Sequence, residues 1–317
     1  MPVRAALGAI LVAMCPQAAD AQIYESVGIR AQGMGGAFVA VADDATATWW
    51  NPAGLATGAY LSGVVEYGSL REPRRDGEST GVPPGTWHWG GIALAFPALG
   101  LSYYRLHISE MRPPNPTASG PPDRQDQGIV AVGLPSLDIN QFGASVGQSL
   151  GDHLVVASTL KLVHAQSETR GDLDLGAMAA SGIARVGVAI RNVTAPAFGR
   201  GGAAVALPRQ VRAGIALLLA GSRQSDGVTL ALDADLATTS TAAGDERHVA
   251  GGVETWMLGR RVGLRGGVSA STVGAVRLVA AGGASVALRR ALYVDGEVTG
   301  GSDETRRGWG LALRVAF

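Results

Sequence analysis

Apolar and polar positions alternate along most of this chain, in runs of about ten residues. The last run is the clearest. Trp309, Leu311, Leu313, Val315 and Phe317 fall on one face, and Gly310, Ala312, Arg314 and Ala316 on the other. Val228, Leu230, Leu232, Ala234 and Leu236 oppose Thr229, Ala231, Asp233 and Asp235 in the same way. Successive side chains of a strand point to opposite faces, so this period predicts strands with one apolar face. Fifteen segments qualify: 59–69, 85–96, 98–108, 127–134, 139–149, 152–165, 172–181, 183–192, 208–219, 227–237, 246–257, 261–271, 275–286, 290–299 and 308–317. Short turns at Pro97, Leu150 to Asp152, Ser181-Gly182 and Gly259-Arg260 alternate with long polar connections at 70–84, 109–138, 193–207 and 300–307. That alternation is consistent only if 127–134 belongs to a loop, which leaves fourteen strands, an even number with both ends on one side.

A soluble sandwich would also alternate. Here, however, the face opposite the apolar one is rich in Gly, Ala and Ser with isolated charges, as a lumen would be, and the apolar face would meet lipid. The predicted fold is therefore all-β, a transmembrane antiparallel barrel. The N-terminus reads as an export signal over residues 1–21: Arg4, an apolar stretch from Ala5 to Met14, and the small-x-small site Ala19-Asp20-Ala21. The barrel occupies 59–317, and 22–58 differs in kind. After residue 22 no stretch approaches the ~18 uninterrupted apolar residues of a membrane helix.

Charge and composition narrow the function. Lys plus Arg equal Asp plus Glu at 26 each, so nothing marks a nucleic-acid partner. The single cysteine, Cys15, belongs to the signal and can build neither a disulfide framework nor a metal cluster. Glycine supplies 46 of 317 residues, about twice the ordinary share. The pairs Gly251-Gly252, Gly266-Gly267 and Gly282-Gly283 read either as bulges or as small lumen residues. Turning the polar face inward puts Lys161, Asp172, Asp174, Arg185, Arg191, Arg212, Asp233, Asp235, Glu254, Arg265, Arg277, Asp295, Glu297 and Arg314 in the lumen. Seven are bases and seven acids, so opposite charges can pair across neighbouring strands about 4.8 Å apart. A strongly ion-selective pore would instead need rings of one sign. His88, His107, His153, His164 and His248 show no metal-binding spacing, and no nucleophile elbow occurs, so no enzyme, metal or cofactor is expected.

Residues 33–55 read GMGGAFVAVADDATATWWNPAGL. Gly33, Gly35 and Gly36 permit close backbone approach. Asp43 or Asp44 can cap a short helical turn begun by Ala45-Thr46-Ala47. Trp49 and Trp50 are followed by Asn51-Pro52, which ends a helix and opens a turn. The segment reads as a compact, partly helical plug. The Gly-Met-Gly-Gly run, Ala42-Asp43-Asp44-Ala45 and above all Trp50-Asn51-Pro52-Ala53-Gly54-Leu55 resemble the N-terminal signature of FadL-type outer-membrane proteins and their shorter PorV/PorQ relatives. The likeness covers about twenty-five residues closely and the rest in architecture only. The terminal Phe317 similarly resembles the aromatic signal read by the barrel-assembly machinery.

The resemblance implies a lumenal hatch formed by 22–58, with Phe38, Asp43, Asp44, Trp49, Trp50, Asn51, Pro52 and Gly54 on the path of a ligand. It implies a bacterial outer-membrane location, lipid as surroundings, and passive transport of hydrophobic small molecules. The alternative it carries is a PorV-like component of a type IX-type secretion or surface-attachment system, with secretion proteins as partners. A 5% aromatic content and a Pro- and charge-rich segment at 109–138 predict no large apolar outer pocket of Phe and Leu, which favours that alternative.

Overall fold

The computed structural model describes residues 27–71, 86–108, 137–199, 205–219, 226–241, 244–274, 276–302 and 306–317. The expected signal (1–21), the candidate strand 127–134 and most of the 70–84 and 109–138 connections lie outside these residues. Among the described residues eighteen strands follow one another: β1 (Ser62–Arg71), β2 (Thr86–Phe96), β3 (Leu99–Ile108), β4 (Leu137–Leu150), β5 (Leu154–Ala165), β6 (Glu168–Ser181), β7 (Ala184–Arg191), β8 (Ala197–Phe198), β9 (Val205–Ala206), β10 (Gln210–Leu219), β11 (Gly227–Asp235), β12 (Thr239–Thr241), β13 (Gly244–Glu246), β14 (His248–Met257), β15 (Val262–Ser271), β16 (Leu278–Arg289), β17 (Leu292–Gly301) and β18 (Gly308–Ala316). Fourteen of them close into an antiparallel transmembrane barrel, sealed where β1 pairs with β18 from Ser62↔Ala316 to Leu70↔Gly308. The remaining four form two small ribbons, β8–β9 and β12–β13, in the long connections. Among the described residues no helix is long and apolar enough to cross a membrane.

Alternation explains the wall. Leu311 and Leu313 of β18 are exposed while Ala312 between them is buried, and Leu230 and Leu232 flank buried Ala231 on β11. In water such a surface would be costly. Around a bilayer it is the lipid face, and the closed ladder leaves no unpaired strand edge to dissolve in hydrocarbon. The tight turns gather at the end that holds Phe317, and most long connections at the other. Two connections depart from this rule. Gln166 and Ser167 turn β5 into β6 at the long-loop end, with φ of 49° and 67°, the twist that a two-residue hairpin requires. The connection from Leu219 to Gly227 is longer than its short-turn neighbours.

The segment ahead of β1 lies inside. Helix α1 (Ile29–Gly33) sits against β15 to β18. The chain then passes β14, β11, β10 and β7, forms α2 (Ala47–Trp50), and ends in a 3-10 turn, Pro52–Thr57, against β4, β5 and β6. It follows the inner wall like a ring. Wall glycines make room for it. A Cβ at Gly267 or Gly252 would collide with the backbone of Met34, and one at Gly176 with Asn51. Of the two readings of the glycine pairs, bulging fails: pairing runs through all three without a register shift.

Replacing Leu232, exposed on the outer face of β11, by Arg should cost about 2–4 kcal/mol near the bilayer midplane. A urea titration of the barrel refolded into vesicles measures it. An unchanged midpoint would mean that Leu232 does not face lipid.

Candidate functional site

Three carboxylates of the wall hold the inner segment. The first N–H groups of a helix have no partner within it. At α1 the Glu66 carboxylate of β1 accepts two such bonds, from Gly28 N–H at 2.9 Å and Ile29 N–H at 3.1 Å. At the next residue, the Arg30 fork meets Glu254 of β14 in two bonds, Nε to Oε1 at 2.7 Å and Nη2 to Oε2 at 2.5 Å. The same guanidinium reaches Asp43, and Asp44 at 3.3 Å. The third carboxylate, Asp233 of β11, accepts from Phe38 N–H at 2.7 Å and Val39 N–H at 2.8 Å. Burial alone would raise the Asp43 pKa, but the Arg30 charge, helped by Arg185, holds it below the usual carboxylate value. Burial likewise works against the Arg30 cation, and the charges of Asp43 and Glu254 raise its pKa well above the ordinary one.

Asp44, rather than Asp43, shapes the start of α2: its Oδ1 accepts from Thr46 N–H at 2.9 Å and from the Thr46 hydroxyl at 2.5 Å. Asn51 ends that helix and clamps three segments. Its amide donates to Val39 O at 2.9 Å and Ala177 O of β6 at 3.2 Å, and its Oδ1 accepts from Ala53 N–H at 3.2 Å. Pro52 then opens the 3-10 turn. Gly54 is obligatory there, because a side chain would strike the Ala42 carbonyl. The Trp50 indole donates to Val27 O at 3.0 Å and packs edge-on against Phe38, with ring centroids 5.9 Å apart. Trp49 faces the long-loop side, edge-on to Tyr104 of β3 at 5.4 Å and under the Arg191 guanidinium at 3.6 Å.

The sequence-derived lumen charges fall into separate groups. Lys161 bonds Asp172 at 2.7 Å, Asp174 at 2.6 Å and the Asn192 amide oxygen at 2.7 Å. Arg191 lies 3.7 Å from Asp174. Arg212 bonds Asp235 at 2.6 Å. Arg314 bonds Asp295 at 2.8 Å, with Arg265 at 3.4 Å from the same carboxylate. Glu254 and Asp233 depart from the expected wall-to-wall pairing: the inner segment is their main partner. Arg277 lies in the connection just before β16 and pairs with Glu246 of β13, away from the lumen wall. Arg185 is buried on β7, and Glu297 is buried on β17 beside Gly310 and Ile29. Phe317 is exposed beyond β18, its backbone bonded to Leu61.

No large pocket of Phe and Leu was expected, and what the described residues show at this end is a packed apolar cluster. At the long-loop end of β2 to β5 the inward residues are Trp89, Tyr104, Leu106, Ile139, Val163 and Ala165. Phe198 and Leu207 of the β7–β10 connection join them, and Trp49 lies below, all in one apolar cluster. The residues come from the polar face of each strand's pattern, which is why alternation hid them: in these strands both faces turn apolar near the top. Arg30 and Glu66 were also missed. Arg30 stands outside the family-like motif, and Glu66 is a single acid in an otherwise apolar strand. A lone acid on the inward parity of a lipid-facing strand was the available signal.

No family model and no curated protein matches the chain. Solved structures do, at low identity, and establish the fold. The Ralstonia pickettii toluene transporter TbuX superposes with a TM-score of 0.60 at 13% identity, over 93% of this chain and 99% of the other. The CymD monoaromatic hydrocarbon channel gives 0.61 at 14%, over 92% and 97%. A Pseudomonas aeruginosa FadL homologue gives 0.57 at 11%, over 92% and 98%.

Replacing Arg30 by Met leaves Glu254 buried without its two-bond partner and with only Arg265 nearby, at 3.9 Å, a loss of about 3 kcal/mol. Hydrogen exchange should quicken across residues 28–57 while the wall amides stay protected. Uniform protection in the variant would show that the pair does not hold the segment in place.

Proposed function

We propose that this protein is a passive outer-membrane channel for hydrophobic small molecules, with 27–57 as its hatch. The observation that carries the reading is the apolar cluster at the long-loop end, which rests on Trp49 of the inner segment. Long loops face outward in barrels of this kind, which puts the cluster at the outer end of the barrel and Phe317 at the periplasmic end. A solute leaving water for it gains roughly 25 cal/mol for each Å² of apolar surface covered. The hatch lies beneath, its charges bonded to the wall. Passage needs movement around Trp49 and Asn51, which join the floor of the cluster to the turn over β4 to β6.

Two of the structural neighbours, a toluene transporter and a monoaromatic hydrocarbon channel, support the same class of cargo for this chain. Residues 1–21 would direct export and be removed, and Phe317 would be read by the assembly machinery. No bond-making chemistry is assigned to the protein. The secretion-component alternative draws no support from the comparisons.

The test is uptake of labelled toluene by cells that depend on this channel. Ile139→Glu places a charge in the apolar cluster and should lower uptake roughly tenfold, the equivalent of about 1.4 kcal/mol of lost apolar contact. Asn51→Ala should lower it as well while heat-modifiable migration shows a folded barrel. Wild-type uptake by both folded variants would overturn the reading.

A further inference from the structure

The outer face of the barrel is not uniform. Over the half of the wall nearest the long loops, no described outward position from β7 to β18 carries a charge; β16, for example, presents Leu278, Ala280, Gly282, Ala284, Val286 and Leu288, and its exposed Arg289, opposite Leu292, lies at the short-turn end. On β1 to β5 the outward positions become polar and basic over the part of each strand nearest the long loops. Arg71 ends β1, His88 lies on β2, Arg105 on β3 and His164 on β5, all exposed. Register brings them together. Gly90 stands between His88 and Ile92 and faces Arg105; Arg105 faces Asn140, and Asn140 faces His164. Five strands at about 4.8 Å make a patch about 20 Å wide.

Tyrosines complete it. Tyr67 bonds the His88 ring at 2.8 Å and stacks on it, and the Tyr103 hydroxyl donates to Asn140 at 2.8 Å. Such rings belong at the level of headgroups, where one end is apolar and the other wet. The acid at the patch, Asp138, is engaged by His107 at 2.9 Å. Neither the Arg71 nor the Arg105 guanidinium has an acidic partner within bonding distance among the described residues, yet both point away from the lumen. An arginine on a lipid-facing wall calls for an anion, and the lipid leaflet itself supplies one.

We propose that this sector holds the phosphorylated headgroup of an outer-leaflet lipid against the wall, with Arg71 and Arg105 as the ligands of its phosphates. The patch is a docking surface separate from the lumen, so the channel function and this one fail independently. Lipid bound here would cover β1 to β5, the same strands whose inner faces carry the apolar cluster.

The probe is lipid A bearing both phosphates, added to the full barrel in detergent and followed by native mass spectrometry, with a diacylglycerol, which has no phosphate and no charge, as the competitor. The wild type should retain lipid A in preference. Arg71→Gln with Arg105→Gln should weaken retention roughly 30-fold, at about 1 kcal/mol for each base. Arg105→Lys should keep most of it. Arg290→Gln, exposed at the short-turn end, should bind as the wild type does. Heat-modifiable migration confirms that each variant is folded. Equal retention of both lipids by the wild type overturns the proposal, as does a double variant that binds lipid A normally. A wild-type dimer lost in the double variant, with no lipid preference, would assign the patch to a second copy instead.

Discussion

Arg30 and Glu254 meet inside a cylinder whose outside is oil, and that placement constrains everything around them. A charge there has lost most of its water: the Arg30 and Glu254 side chains are 7% and 1% exposed. Its partner must therefore be supplied by the fold, with enough hydrogen bonds to offset desolvation. Arg30 finds Glu254 on one side and the Asp43–Asp44 pair on the other. Glu66 and Asp233 solve the complementary problem, since each anion accepts two backbone N–H bonds from the hatch. Wall and hatch satisfy each other, which is why the wall can carry so many inward carboxylates and still exclude a plain ion pore.

The glycine excess follows from the same contact. A ring of backbone laid on the inside of a barrel needs a smooth surface, and any wall side chain larger than hydrogen at Gly176, Gly252 or Gly267 would lift it off. Once lifted, the hatch would lose the short bonds to Glu66 and Asp233, whose lengths depend on that approach. Small residues and buried acids are therefore parts of one device: the first sets the distance, the second holds it.

Much of the wall was legible in the sequence because its cause is periodic. Lipid on one side and a lumen on the other impose a period of two, and β18 displays it from Trp309 to Phe317 without interruption. The hatch motif was legible through its likeness to the FadL-type signature and through Asn51-Pro52, which ends a helix and opens a turn; that Gly54 lies under Ala42 was not. What the pattern concealed was departure from itself. Leu106, Ile139 and Val163 sit on inward positions where the lumen is apolar, so their strands read simply as apolar at one end. The partner of Glu254 was hidden for another reason: Arg30 is 224 residues away in sequence, and no local rule joins a short helix to a distant strand.

The lumen thus divides into two sectors with different physics. Against β5 to β18, Lys161, Arg212, Arg314 and their acids lock wall strands to one another, and Arg30 locks the hatch to the wall. Ion pairs in that setting resist displacement, because separating them strands a charge. Against β2 to β5 the contacts near Trp49 are apolar, and apolar contacts can be exchanged for those of a hydrophobic solute at little cost. Motion of the hatch should therefore be a hinge, held at α1 and loose near α2, rather than a release of the whole plug. In the proposed channel such a hinge would admit a ligand that replaces the contacts it breaks and exclude water, which cannot.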